Sequence, residues 1–230
     1  PIADKRWTNT IKRELIESRT NGTLLIARKL AEMDHKVSHY ISSSGIGYYG
    51  AQTSDHIYKE SDPPYSDFIS RICQEWEEVT DHIKELGIKT SILRTGVVIS
   101  RDGGALPKLM PTIKRRIGSA LGSGKQWMPW IHIEDLVRMY LFIVDGRHTG
   151  IYNAVCDDHQ TNQSFTRQLA KVLNRRLWLP NIPGFVLRMM LGERAVILLE
   201  GSGISAEKII AEGFTFSIPK LEQALRKELV

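Results

Sequence analysis

Between Thr8 and Met33, Ile11, Leu15, Gly22, Leu25 or Ile26, Leu30 and Met33 fall at helical spacing. This spacing predicts a helix with Thr8 or Asn9 at its N-cap. The same rhythm is cleanest at Phe68, Ile72, Trp76, Val79, Ile83 and Leu86, which predicts a single amphipathic helix stopped by Gly87. Between the two helices, residues 37–41 read as a strand running into turn chemistry at 42–45. Residues 89–94 read as a second strand, and strand, helix, strand in that order implies a right-handed parallel crossover. Further along, helices are predicted over 134–144 and 163–173 with a strand at 151–155 between them. Short helices follow at 183–191, 195–199, 205–211 and 219–229.

Alternating strands and helices predict an α/β fold, a Rossmann-like doubly wound parallel sheet with helices on both faces. Residues 1–178 are assigned to that domain, with substrate-pocket insertions near 97–131, and 179–230 to a small, mostly helical C-terminal domain. Ligands of such sheets bind at the C-terminal strand ends. Those ends are Ser42 to Gly45, Arg94 to Gly96 and the loop near His132.

Composition narrows the function classes. Of 230 residues, 42% are hydrophobic and 25% charged, which is ordinary for a soluble globular protein. No apolar run is long enough to span a bilayer, so no membrane partner is expected. Two cysteines, Cys73 and Cys156, provide neither a disulfide framework nor a metal-ligand spacing, and both sit in apolar patterns. Buried reduced thiols and a cytoplasmic location are the expectation, with no metal. The net charge of +5 is dispersed apart from clusters at 114–116 and 175–176. Dispersed charge without interleaved aromatics points away from nucleic acid.

Three stretches taken together resemble the extended short-chain dehydrogenase/reductase superfamily. Ser42-Ser43-Ser44-Gly45-Ile46-Gly47-Tyr48-Tyr49-Gly50 is similar to its serine-rich strand end. Leu93-Arg94-Thr95-Gly96-Val97-Val98 is similar to the strand that approaches the nicotinamide. Gly122 and Gly124 followed by Trp130-Ile131-His132-Ile133-Glu134-Asp135-Leu136 are similar to the signature closing the nucleotide-sugar pocket. Pro1-Ile2-Ala3, Arg6-Trp7-Thr8 and Gly192-Glu193-Arg194-Ala195 narrow the likeness to an atypical subgroup, the sugar-nucleotide-dependent epimerase family proteins, which carry their own short C-terminal domain. The resemblance implies an NAD(P)-dependent epimerase or dehydratase-like oxidoreductase. NADP is expected ahead of NAD, and the substrate is nucleotide-linked or another small hydroxylated compound. The two long helices resemble those that build dimer interfaces in the superfamily, so a homodimer is expected.

Two departures qualify that expectation. The family opens with a Gly-x-x-Gly-x-x-Gly turn whose amides cradle the pyrophosphate, and this chain has none. The glycines of 118–124 come too late and precede a Trp/Pro segment. The resemblance implies that the parent protein carries two further βαβ-type units upstream, roughly 60 residues at about 30 per unit. Ordinary members also use a Tyr followed four residues later by a Lys that lowers the phenol pKa for proton exchange. None of the seven tyrosines here has a basic residue at that spacing. At the corresponding place stand Asp67 and Arg71, and Arg cannot relay a proton but can grip a phosphate or ribose. A non-catalytic NAD(P)-binding or sensing protein is therefore the alternative.

The candidate residues follow from the motifs. Ser44 is the catalytic serine equivalent or a turn serine, with Tyr48 and Tyr49 as replacements for the missing acid/base. Arg6, Ser42, Ser43, Arg71, Arg94, Thr95 and Gly96 are assigned to the cofactor, with a structural ion pair as the other reading of Arg94. Trp130 and His132 are assigned to the substrate. For His132 and Asp135, a cap that starts the following helix and orders the pocket loop is preferred to a catalytic role.

Overall fold

The computed structural model describes residues 2–229, so Pro1 of the subgroup motif lies outside them. Thr8 starts the first helix, α1 (Asn9–Glu32), its hydroxyl accepting from the Ile11 amide at 3.3 Å. β1 (His39–Gly45) follows, then a 3-10 turn at Ile46–Tyr49 and the short β2 (Ile57–Tyr58). The serines predicted to turn belong to β1. They pair residue by residue with β3 (Lys89–Thr95), Ser44 opposite Arg94 and Gly45 opposite Thr95, and sheet pairing overrides their local turn preference.

The helix predicted over 68–86 divides into α2 (Phe68–Glu78) and α3 (Asp81–Lys84). Thr80 causes the break. Its hydroxyl takes the Glu77 carbonyl at 2.5 Å, the backbone acceptor that the helix would otherwise use. Asp67 caps α2 at the other end, one carboxylate oxygen accepting from Ser70 N and the other from Ala51 N.

After β3 the chain forms β4 (Val97–Ile99), α4 (Leu106–Lys114), β5 (Trp130–His132), α5 (Ile133–Gly146), β6 (Gly150–Ala154) and α6 (Asn162–Val172). The C-terminal stretch adds α7 (Gly184–Leu191), α8 (Val196–Leu199), β7 (Gly203–Ile204), α9 (Glu207–Ala211) and α10 (Leu221–Leu229). The main sheet runs β1-β3-β6, all parallel. The central strand β3 is buried from Thr90 through Arg94, as expected where both faces are covered. Side chains alternate across it: Arg94 reaches Glu77 of α2, whereas Leu93 packs with Met139 and Ile143 of α5.

Two parallel pairs lie outside this sheet, β4 with β5 and β2 with β7. Periodicity did not reveal them, because elements of two or three residues carry too few positions for a pattern. The C-terminal helix is tied into the body of the protein. Leu221, Ala224 and Leu225 of α10 share a core with Phe165 and Leu169 of α6 and with Trp130. Both cysteines are buried free thiols, as their apolar surroundings predict. Among the described residues, no helix is long and apolar enough to cross a membrane.

Candidate functional site

The C-terminal ends of β1 and β3 lie side by side, Gly45 opposite Thr95, and both open onto one cavity of about 440 Å³. Gly45 to Gly47 and Thr95-Gly96 form one wall. Leu109, Leu121, Met128, Ile197 and Leu198 line the cavity as well, and Lys108, Gln126, Asn162, Glu200 and Ser202 provide polar lining. Gly96 is required here by close approach. A Cβ on it would lie 2.7 Å from the Pro129 carbonyl, which accepts from Val97 N as β4 starts beside β5.

Behind this wall sits a buried polar cluster around Glu77. Its carboxylate accepts from Arg94 Nε at 2.9 Å and Arg94 Nη2 at 2.7 Å, and from the Ser44 hydroxyl at 2.8 Å. Arg94 Nη1 donates to the Tyr49 hydroxyl at 3.0 Å, and that hydroxyl donates to Asn153 Oδ1 at 2.7 Å. The Tyr48 ring lies against the guanidinium, its centroid 3.3 Å from the Arg94 central carbon. Burial alone pulls the Arg94 pKa down, but the hydrogen bonds and charge of Glu77 outweigh it and leave the guanidinium firmly protonated.

Four sequence-predicted residues thus come together, although not at the cavity. Ser44 is buried with its proton committed to Glu77. Arg94, assigned to the cofactor, is 1% exposed and forms a two-pronged ion pair. Tyr49 is fully buried, and burial pushes its phenol up to about 12 even though Arg94 acts in the other direction. It therefore stays protonated at neutral pH, which does not suit a phenolate base. A group whose folded pKa is raised stabilises the fold below its unfolded value and loses that contribution as pH rises. Stability should accordingly fall between about pH 10 and pH 12. Melting curves of the native protein and of Tyr49→Phe should converge across this window. A gap unchanged from pH 9 to pH 12 would contradict this account.

Other candidates also take structural positions. Trp130, assigned to the substrate, is fully buried and donates its indole N–H to the Asp158 carbonyl at 2.9 Å. His132 is 1% exposed. Its Nδ1 accepts from Glu134 N at the start of α5 and its Nε2 lies 2.9 Å from Glu228, so it caps a helix and anchors α10. Asp135 accepts from Ser217 N and Ile218 N. Arg71 is exposed and pairs with Glu75, four residues along its own helix. Arg6 is exposed ahead of α1. Ser42 is buried with its hydroxyl unpartnered, and Ser43 lies on the opposite face of β1, 2.6 Å from the Tyr140 hydroxyl. Of the predicted site residues, Thr95 and Gly96 line the cavity.

Sequence reasoning missed Glu77, although a signal was present. Ser70, Cys73 and Glu77 are spaced three and four apart on the buried face of α2, and a carboxylate there needs a buried cation. It also read the positive charge as dispersed. The two basic clusters meet in space: Trp178 Nε1 donates to the Arg116 carbonyl, and Arg116, Arg175 and Arg176 line one groove with Trp178. Among the described residues, no group of three or more His, Cys, Asp or Glu side chains is positioned to hold a metal ion.

The sequence model of the NAD dependent epimerase/dehydratase family matches residues 2–154. The chain belongs to this family. A second match, to a domain of unknown function (DUF1731), covers residues 182–228. Among relatives in this family, Epimerase family protein SDR39U1 of Mus musculus is 31% identical over 224 residues, 96% of this chain and 76% of that protein. YfhF of Bacillus subtilis is 32% identical over 221 residues, 96% of this chain and 72% of that protein. The crystal structure of human SDR39U1 (isoform 2) with NADPH superposes with a TM-score of 0.90 at 29% identity, covering 99% of this chain and 78% of the human one. A nucleoside-diphosphate sugar epimerase from Corynebacterium glutamicum reaches a TM-score of 0.79 at 26% identity, covering 98% of this chain and 44% of that one. UDP-glucose 4-epimerase of Thermotoga maritima, at 17% identity and a TM-score of 0.74 over 93% of this chain and 68% of that one, shares the fold. The family drawn from three short motif stretches is therefore established, together with its parallel Rossmann-like architecture.

Proposed function

We propose that this protein is an NAD(P)-dependent oxidoreductase of the epimerase type, acting on a small hydroxylated or carbonyl compound in the cavity beside Gly45 and Thr95. The carrying observation is that cavity's place at the C-terminal ends of two adjacent parallel strands, where such sheets receive nucleotide ligands. The NADPH held by the human SDR39U1 structure supports NADP as the cofactor.

The residues present suit the nicotinamide end of such a cofactor. Gly45, Gly47 and Gly96 line one wall beside Thr95, and the Thr95 hydroxyl makes only a 3.4 Å contact to the Leu93 carbonyl, leaving it available to a carboxamide. When bound, the nicotinamide supplies and recovers a hydride. The protein's own residues orient the substrate carbon against that wall and exclude water through the apolar lining. The Glu77–Arg94 pair fixes the two strand ends from behind, so Ser44 acts as a positioning residue through Glu77.

The test is a fluorescence titration of the protein encoded by the full open reading frame, following quenching of tryptophan emission by NADPH and NADH. Saturable NADPH binding, weakened about tenfold by Thr95→Val, is the expected result; a tenfold loss corresponds to about 1.4 kcal/mol, one hydrogen bond. A flat response to both dinucleotides would refute the reading. The engagement of Tyr49 in the buried cluster favours a second reading, a protein that binds NAD(P) without turnover. Saturable binding with no exchange of hydride into any alcohol or ketone would identify it.

A further inference from the structure

We infer that the surface carrying Arg116, Arg175, Arg176 and the outer face of α7 docks onto an anionic lipid surface. The cations meet the headgroups there, while Trp178, Phe185 and Met189 enter the boundary of the acyl chains.

Charge is divided unevenly along the chain. Residues 103–133 and 159–192 hold ten Lys and Arg side chains and no Asp or Glu. The remaining residues hold 21 basic and 26 acidic side chains, so +10 in these two stretches is set against −5 elsewhere. All ten cations are exposed. Lys108 pairs with Asp4 at 3.6 Å and Lys171 with Glu222 at 2.8 Å, and the other eight form no ion pair among the described residues. A cation in the last turn of a helix complements its dipole, which accounts for Lys114 in α4 and Lys171 in α6. Arg116, Arg175 and Arg176 lie beyond those helix ends.

The fold joins the two stretches. Ile182 N donates to the Ala120 carbonyl at 2.9 Å, the Ser119 hydroxyl to the Pro180 carbonyl at 2.5 Å, and the Trp178 indole to the Arg116 carbonyl at 2.9 Å. Arg116, Arg175 and Arg176 thereby share one groove with Trp178. Helix α7 starts from this seam, directly after Pro183. Its Leu187 packs with Ala195 and Leu199, which leaves Phe185, Met189 and Met190 facing outward. Trp178 and Phe185 are 69% exposed, Met190 70% and Met189 79%, and no other large apolar side chain among the described residues exceeds 59%.

Exposed aromatic and aliphatic side chains among unpaired cations fit a headgroup boundary, where arginines meet phosphates and apolar groups enter below them. Nucleic acid would engage the cations and stack on Trp178, but it offers Met189 and Met190 no apolar phase. A second copy meeting this surface by two-fold symmetry would set like charges against each other. Among the described residues no helix is long and apolar enough to cross a bilayer, so the attachment is to its surface.

The experiment is flotation of the full-open-reading-frame protein with vesicles of phosphatidylcholine alone and of equimolar phosphatidylcholine and phosphatidylglycerol. The anionic vesicles should hold the protein at least about tenfold more tightly, and added salt should release it. Each cation at such a surface contributes about fivefold, so Arg175→Gln combined with Arg176→Gln should weaken binding by about twenty-fivefold. Phe185→Ser combined with Met189→Ser keeps the net charge and should weaken it by about tenfold or more. Both double variants alter exposed side chains only, so their melting midpoints should match the native protein. Tryptophan emission should shift to the blue on anionic vesicles, and Trp178→Phe should abolish most of that shift. Equal binding to both vesicles, either double variant binding unchanged, or a full shift in Trp178→Phe would each overturn the inference. Tighter binding to a mixed-sequence DNA duplex than to the anionic vesicles would reassign the surface to nucleic acid and overturn it as well.

Discussion

Glu77→Ala is expected to lower stability by about 3–5 kcal/mol, because it strands the Arg94 guanidinium without its counter-ion in a site 1% exposed. The same substitution removes the acceptor of the Ser44 hydroxyl, so a second buried donor loses its partner. Against the 5–15 kcal/mol typical of a whole domain, the loss is large. At about 2–4 °C per kcal/mol for a chain of this size, the midpoint should drop by roughly 10 °C. The cost comes from the uncompensated charge and not from the net worth of the pair. Glu77→Leu combined with Arg94→Met should therefore recover more than half of it. Guanidinium unfolding of the single and double variants measures both numbers. A single-variant loss below about 1 kcal/mol, or a double variant no better than the single, would remove Glu77 as the centre of this cluster. Cofactor affinity should follow stability here, since Gly45 and Thr95 follow directly on the pinned residues Ser44 and Arg94.

Asp135→Ala should have the next largest effect, and it should be local. Asp135 is fully buried in the first turn of α5, where a carboxylate also complements the helix dipole. Its oxygens accept from Ser217 N at 2.8 Å, Ile218 N at 2.9 Å and Arg138 Nη1 at 2.7 Å. Alanine leaves the Ile218 amide buried and unpaired and frees the segment leading to α10. With two backbone amides and a guanidinium losing an acceptor, the expected cost is about 3 kcal/mol. Limited proteolysis gives a second readout. The variant should be cut near residues 215–219 at a protease concentration that leaves the native chain whole, because the strapped segment opens locally before the sheet does. Unchanged protection of that segment would show that packing of Leu221, Ala224 and Leu225 alone holds the C-terminal helix.

The fold was largely legible because its long elements carry regularly spaced apolar positions. Helical spacing from Phe68 to Leu86 marks the stretch that forms α2 and α3, and Ile92-Leu93 and Ile151-Tyr152 mark β3 and β6, whereas α1 buries Thr20, Thr23 and Ala27 and leaves Leu25, Ile26 and Met33 exposed. What failed to appear was set by partners distant in sequence. Thr80 divides a helix that periodicity reads as continuous, and Ser42 to Ser44 become strand only because Ile92 to Arg94 lie alongside.

The candidate site divides along the same line. Motif order was sufficient to single out Thr95 and Gly96, which line the cavity at the end of β3, and to identify the family. Which polar side chains are free, and which are engaged by the protein, depends on contacts between residues as far apart as Tyr49 and Asn153. Ser44, Tyr49 and Arg94 carry the chemistry of a reactive site as residue types. Only the approach of Glu77 from α2 makes them a buried scaffold, because a carboxylate that satisfies a guanidinium and a hydroxyl takes both away from any ligand. The sequence alone therefore determined the parallel sheet, the family and the missing Tyr/Lys pair, all of which follow from local pattern. The tertiary structure decided which groups face the cavity, since burial and hydrogen-bond partnership are properties of the assembled chain.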